Sequence, residues 1–448
     1  MSRWKDIIFG YDKKNSHGSS EFGQYWDLRP LLHSKNKGVR IADFGRLTPK
    51  DSFQHSILLA STGAGKSTRF IMPNALQKWK DPVGLVFFDP AGDICENSEG
   101  HLRQQGFTIR KIDLTLPNQS EQFNLLFGVI DKNTARMMAQ TLIEGVYKES
   151  TYDPFWTESA ISILTLLILA VVLKLSEEQQ TLFFLNTLAN KFGHAQDEVS
   201  ALMQSALGDT DFEEYAAFLS NSVKVRQSII ATVKSSLFSF SDPILQQICA
   251  RNSFDLNELR EQKTALFLIQ EEHKLVFYRP FWTLFFQKLF DFLMIGDGHP
   301  VYCFLDEAAS YRVPNLDGII STIRRRRVSL NLVIQSYEQL QSIYGLEKAR
   351  TIFQNCNTKL FLPGLSLESA KMVSEMLGTT TQVYTQTQRD YFDTTAPKQR
   401  VSRPLMTPEE VRTLDDRYGL VLSGNHKPFR LHMTPYYRNN IFLKRSKL

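Results

Sequence analysis

The sequence predicts an α/β fold in which a P-loop nucleotide-binding domain carries an inserted all-α domain. Three observations lead there. The loop Ala60-Ser61-Thr62-Gly63-Ala64-Gly65-Lys66-Ser67 has the pattern of a phosphate cradle and stands between a strand pattern and a helix pattern. Near-continuous apolar runs, typical of buried parallel strands, occur before residue 125 and again after residue 264. Between them, over about 129–250, helical patterns follow one another with almost no strand signal.

Taken in order, residues 1–38 hold Lys13, Lys14, Lys35 and Lys37 among Ser, Gly and Asn, and predict a polar arm. Residues 39–44 and 56–60 read as strands, and after Lys66 the spacing of Phe70, Ile71, Ala75 and Leu76 predicts a helix. Residues 84–88 form a second strand pattern ending in Asp89-Pro90, and Thr108–Asp113 a third, so 39–128 is the first part of the nucleotide-binding domain. The inserted domain, 129–250, places Ile229, Ile230, Val233 and Leu237 on one helix face. Its apolar run from Ala160 to Leu173 lies between Glu158 and Lys174, short of the ~18 residues of a membrane span, and predicts a buried core helix. Strand character returns at 265–269, Val301–Leu305 and 331–334, so 251–448 completes the nucleotide-binding domain. Residues 379–403, rich in Thr, Gln and Arg, predict an exposed loop before the closing segment 420–435. There is no internal repeat.

Bulk properties set limits. A chain of 448 residues is long for one core, and 42% hydrophobic with 22% charged residues excludes a disordered chain. The net charge of +5 tolerates a polyanionic partner without demanding one. Cys95, Cys249, Cys303 and Cys356 are far apart with no CxxC pair, which argues against a disulfide framework or zinc site and fits a reducing cytosol. No apolar segment of signal-peptide type follows Met1.

The chemistry centres on the loop. Gly63 and Gly65 let the backbone curl so that successive N–H groups face phosphate oxygens, and the following helix adds its positive end. Ser61, Thr62, Gly63, Ala64, Gly65, Lys66, Ser67 and Thr68 are the candidate ATP-binding residues; Lys66 would reach the β and γ phosphates and the Ser67 hydroxyl would ligate Mg²⁺. Ala60 stands where the first glycine of the pattern is usual. A second half-site needs an acidic residue for the ion and a carboxylate to activate water. Asp89 follows an apolar strand without an acidic neighbour, whereas Asp306-Glu307 follows Val301–Leu305 and supplies both, so Asp306 is assigned to magnesium and Glu307 to the general base. Arg324-Arg325-Arg326-Arg327 reads either as a solvated helix surface or as the source of an arginine acting on a neighbouring subunit's nucleotide. Gln335, after an apolar strand, would sense the γ phosphate or orient water, against the plainer reading of a polar strand end. Asn190-Lys191-Phe192-Gly193 lacks the aspartate of a guanine-specificity motif, and Leu422-Ser423-Gly424-Asn425 lacks the elements of a transporter signature. Neither GTPase nor transporter chemistry is favoured.

With these pieces in order, the chain resembles the TraG/TraD-type coupling proteins of type IV secretion and conjugation, within the HerA/FtsK group of hexameric motors. The resembling stretches are residues 59–67, Phe88-Asp89-Pro90-Ala91-Gly92-Asp93, Phe123-Asn124-Leu125-Leu126, Asp153-Pro154-Phe155-Trp156, Leu305-Asp306-Glu307, Ile334-Gln335-Ser336 with Gln339-Leu340, and Arg403-Pro404-Leu405. The resemblance implies a RecA-like domain, a homo-hexamer with ATP sites between subunits, and ATP-driven export of DNA with an attached relaxase or of effector proteins into a secretion channel. It also implies that Arg324 or Arg326 acts in trans. Ala91 stands where the family often has lysine. Typical members carry N-terminal membrane helices, and none is read here, so the resemblance implies either a cytoplasmic position at the inner membrane held through partners, or membrane helices that lie in a separate chain or have been removed. Two other readings stay open: a HerA-like DNA pump in repair or defence, and a nucleotide-regulated recruitment platform with little motor activity.

Overall fold

The computed structural model describes residues 18–146, 154–192, 194–308, 311–385 and 398–448. Their strands are β1 (Ser56–Leu59), β2 (Gly84–Asp89), β3 (Thr108–Asp113), β4 (Thr264–Ile269), β5 (Val301–Leu305), β6 (Val328–Ile334), β7 (Thr358–Phe361), β8 (Thr379–Thr385), β9 (Lys398–Pro404), β10 (Tyr418–Ser423) and β11 (Phe429–His432). The chain divides into two compact units, residues 1–81 with 329–448, and residues 82–328.

In the first unit β1 lies between β6 and β7, parallel to both, while β10 adds antiparallel to β7 and β11 antiparallel to β10. β1 and β6 are buried at every position, as Ile, Leu and Val runs covered on both faces must be. Polar side chains on these strands pair with one another: the Ser56 hydroxyl donates to Asn331 Oδ1 at 2.7 Å. β8 and β9 form a separate antiparallel ribbon, so the ends of the expected 379–403 loop are strands; residues 386–397 lie outside the described set. Threonine-rich chain is a good strand former once it has a partner, which composition cannot supply.

Residues 39–44 are not a strand. The chain turns back after Ala42, Leu47 N–H bonds Val39 O, and Arg40 N–H is taken by the Asn74 side chain at 2.8 Å, leaving only isolated bridges. The expected polar arm is built into the unit from Gly18 onward: Leu28, Leu31 and Leu32 are buried, and Gly23 N–H bonds Pro428 O. Residues 1–17 lie outside the described set.

In the second unit four parallel strands run in the order β5-β2-β4-β3. Phe87 of β2 stacks between Phe304 of β5 and Phe267 of β4, at 5.3 and 5.1 Å between ring centroids, which locks the register of three neighbours. The described residues between β3 and β4 are mainly helical, including Lys132–Val146, Pro154–Lys174, Leu182–Lys191, Gln196–Ala206, Asp209–Ser220 and Val223–Leu237. Thr181 and Ser222 cap two of these by accepting the N–H three residues on. Pro154–Lys174 has 21 residues, and is long and apolar enough to cross a membrane by length and composition, so the expected shortfall is corrected. Helix-forming residues before Ala160, Phe155 and Trp156 among them, lengthen the element beyond its apolar run. Residues from Ala160 to Val171 are nearly all buried against the neighbouring helices, as in a core helix.

Candidate nucleotide-binding site

β1 delivers the chain, fully buried, to Ala60, and the loop then opens to solvent at Thr62 and Gly63. Gly63 and Gly65 have φ of +79° and +82°, a left-handed conformation that costs an L side chain about 1–2 kcal/mol. A Cβ on Gly63 would meet nothing within 4 Å, so the chain itself leaves room there; a Cβ on Gly65 would come within 2.9 Å of Thr68 Oγ1. Ala64 N–H bonds Ser61 O, and the Thr68 hydroxyl donates back to Gly65 O at 3.2 Å, which pins the curl from both ends. Lys66 is already helical, with φ −45° and ψ −63°.

The helix that follows opens with a π turn, Ser67–Ile71, in which Met72 N–H reaches Ser67 O, before α-helix resumes at Met72–Ala75. Pro73 explains it: with no N–H, it cannot make the regular bond to Arg69 O, and the ladder widens by one residue just upstream. Gln335, directly after β6, stands beside the loop, its Oε1 3.3 Å from Thr62 Oγ1 and 3.4 Å from Gln339 Nε2. The first unit thus brings Gln335 to the phosphate loop.

In the second unit β5 ends at Asp306 and Glu307, both nearly buried at 7% and 8% exposure. Glu307 adopts φ +49°, rare for a residue with a long side chain, and its N–H bonds Asp306 Oδ1 at 3.0 Å. The absence of an acidic neighbour for Asp89 is corrected here. Phe88 pairs with Leu305 across the parallel β2 and β5, so the next residues, Asp89 and Asp306, fall side by side. Burial pushes the Asp89 carboxyl up to about 7; the Cys95 and Ile94 amides hold it down, while Asp306 and Asp93 push it further up. Its Oδ2 accepts Cys95 N–H at 2.8 Å.

All four arginines 324–327 are exposed, on the short 3-10 turn Ile323–Arg326 and a left-handed Arg327. They do not share one regular helix. Arg326 lies 3.5 Å from Asp297, and Arg327 bonds Gly298 O; among the described residues the Arg324 and Arg325 side chains make no hydrogen bond or ion pair. The turn is held from below by Arg260, only 2% exposed, whose guanidinium donates to Arg326 O, His299 O and Leu293 O at 2.8–2.9 Å. Sequence reasoning missed Arg260 and the pairing of Asp89 with Asp306. Arg260 sits in an unremarkable polar stretch with no motif, and the carboxylate pair is created by strand register.

A curled phosphate loop after a buried parallel strand defines the class: an α/β P-loop fold of RecA-like type. Residues 28–447 match the family described as type IV secretory system conjugative DNA transfer, and the chain belongs to that family. It is 22% identical over 97% of its length to Protein VirD4 of Agrobacterium fabrum (strain C58), covering 68% of that protein. It is 23% identical over 87% of its length to the type IV secretion system-coupling protein VirD4 of Bartonella henselae, covering 64% of it. Among solved structures, the plasmid coupling protein TrwB in complex with ADP and Mg²⁺ superposes with TM-score 0.72 at 15% identity, covering 93% of this chain and 94% of that one. TrwB with the ATP analogue ADPNP gives 0.71 at 17%, covering 93% and 96%. The chain therefore spans about two thirds of the length of its VirD4 relatives.

Proposed function

We propose that this chain is an ATP-hydrolysing coupling protein that drives DNA, with an attached relaxase, and effector proteins into a type IV secretion channel. The observation that carries the reading is the phosphate loop, with Gly63 and Gly65 both left-handed and open space where a Gly63 side chain would stand, in a chain matched to the conjugative transfer family over 28–447. That match favours secretion over a repair or defence pump. TrwB, bound to ADP and Mg²⁺, supports the same nucleotide and ion here.

The residues suit that role. Backbone N–H groups of 61–68 cradle the phosphates, Lys66 neutralises the β and γ oxygens, and the hard oxygens of Ser67 and Asp306 hold the magnesium ion. The ion supplies charge neutralisation at the transferring phosphoryl group. Glu307 takes the proton of the attacking water, and Gln335, already hydrogen-bonding distance from Thr62, orients that water. Arg324 or Arg326 completes a neighbouring subunit's site in a homo-hexamer; Arg324 suits this better because Arg326 is engaged with Asp297. Residues 129–250 act as an inserted all-α domain, and the assembly works at the cytoplasmic face of the inner membrane.

The test is ATP hydrolysis with and without DNA, on wild type and Glu307→Gln. DNA-stimulated turnover lost by at least ~100-fold in the variant is expected. No hydrolysis by wild type under any condition would refute the motor. Turnover unchanged in Glu307→Gln would remove the assigned base.

A further inference from the structure

We infer that a cleft on the first unit, between residues 25 and 44, takes an unpaired nucleobase of single-stranded DNA; this rests on the coupling-protein reading above. The cleft has a volume of about 310 Å³ and is lined by Tyr25, Phe44, Arg29, His33 and Ser34, over Leu32. Tyr25 and Phe44 are 65% and 44% exposed, an unusual outlay of aromatic surface in water, while Leu32 beneath them is 2% exposed. Flat apolar walls with a cation at the rim are what a base and its phosphate require.

The polar groups agree. Among the described residues no carboxylate lines the cleft. The nearby acids are engaged elsewhere: Glu21 and Asp27 both pair with Lys427, at 2.6 and 3.3 Å, Asp27 also accepts Gln24 N–H, and Asp43 accepts the Thr434 N–H and hydroxyl at 2.9 and 3.0 Å. Arg29 and Lys35 are exposed and remain cationic neighbours for phosphate. His33 Nδ1 accepts Lys35 N–H at 3.0 Å, so the neutral ring carries its proton on Nε2 and presents a donor, and the Ser34 hydroxyl offers both a donor and an acceptor. Trp26, 72% exposed and edge-on to Tyr25 at 5.5 Å, extends the aromatic surface for a following base.

A duplex has no free base face to offer such a slot, which favours the single strand. A bilayer fits less well. The helix Tyr25–Leu28 is one turn long, too short to lie in a lipid interface, and the aromatic walls bound a concavity.

The experiment is anisotropy of fluorescein-labelled oligo(dT), and of the matching duplex, on the full chain without nucleotide. It compares wild type, Tyr25→Ala with Phe44→Ala, and Tyr25→Trp with Phe44→Trp. Thermal melts establish folding, and ATP hydrolysis is measured on the same preparations. The alanine pair is expected to weaken oligo(dT) binding at least ~5-fold, the tryptophan pair to restore it, and duplex binding to stay unchanged. Equal oligo(dT) affinity in all three folded proteins overturns the inference. So does loss of sedimentation with phosphatidylglycerol vesicles in the alanine pair while oligo(dT) binding persists, which would make the patch a membrane contact. Normal hydrolysis beside either result leaves the motor standing, so the two readings fail separately.

Discussion

Asp89→Asn isolates the cost of a buried carboxylate beside a second one. The side chain is 1% exposed, and its carboxyl titrates near 7 in the folded protein against 3.8 for the ordinary group. Below about pH 4 the group is neutral in both states. As pH rises towards 7 the unfolded chain releases this proton while the folded protein keeps it, so stability falls by about 1.4 kcal/mol per pH unit, some 4 kcal/mol in all, and then levels off. Asparagine keeps the shape and still accepts Cys95 N–H, but cannot ionise. The stability of Asp89→Asn relative to wild type should therefore improve by about 4 kcal/mol between pH 4 and pH 8. At roughly 2 °C per kcal/mol for a unit of this size, that is a differential shift of about 8 °C. Thermal denaturation in EDTA across that range measures it, with metal excluded so that only the proton is in play. A difference between variant and wild type that does not change with pH would show that Asp89 is ionised in the fold and that burial is not the dominant influence.

Three other substitutions probe the loop and the arginine turn. Gly65→Ala places a side chain at φ +82° and within 2.9 Å of Thr68 Oγ1; about 1–2 kcal/mol of strain is expected, read as roughly tenfold weaker binding of a fluorescent ATP analogue, and unchanged affinity would show that the curl is not required. Arg260→Met leaves three carbonyls without their donor and should cost about 3 kcal/mol or more in thermal stability, whereas exposed Arg324→Ala should leave the melting point in place while lowering ATP turnover of the assembled protein. A shared melting shift with no kinetic difference between them would argue that the turn is only structural.

What the sequence makes legible follows the range of the forces involved. The phosphate loop is local: two glycines, a lysine and a hydroxyl within eight residues specify both conformation and chemistry, and no distant contact is needed to read them. β2, β4 and β5 are equally plain, because strands covered on both faces must be apolar throughout. Residues 39–44 carry enough apolar character to suggest a strand, yet Asn74, thirty-four residues away, takes the Arg40 amide that a neighbouring strand would need. β8 and β9 have polar faces and gain their structure from each other. The juxtaposition of Asp89 and Asp306 is set by register between strands 217 residues apart, and no periodicity in either strand records it. Gln335 is legible as a candidate γ-phosphate sensor at a strand end, but its partner Thr62 requires β6 to lie next to β1.

The left-handed backbone at Glu307 bears on how this protein can be improved. Glycine there would relieve about 1–2 kcal/mol of left-handed strain against roughly 0.4–1 kcal/mol of added unfolded-state entropy, so on backbone conformation a screen scored on heat resistance alone favours Glu307→Gly. The carboxylate assigned to proton transfer would be lost in the same step. On the role proposed for Glu307, durability and turnover compete at a single codon, and a stabilisation campaign that leaves 307 free to vary would select against the proposed base.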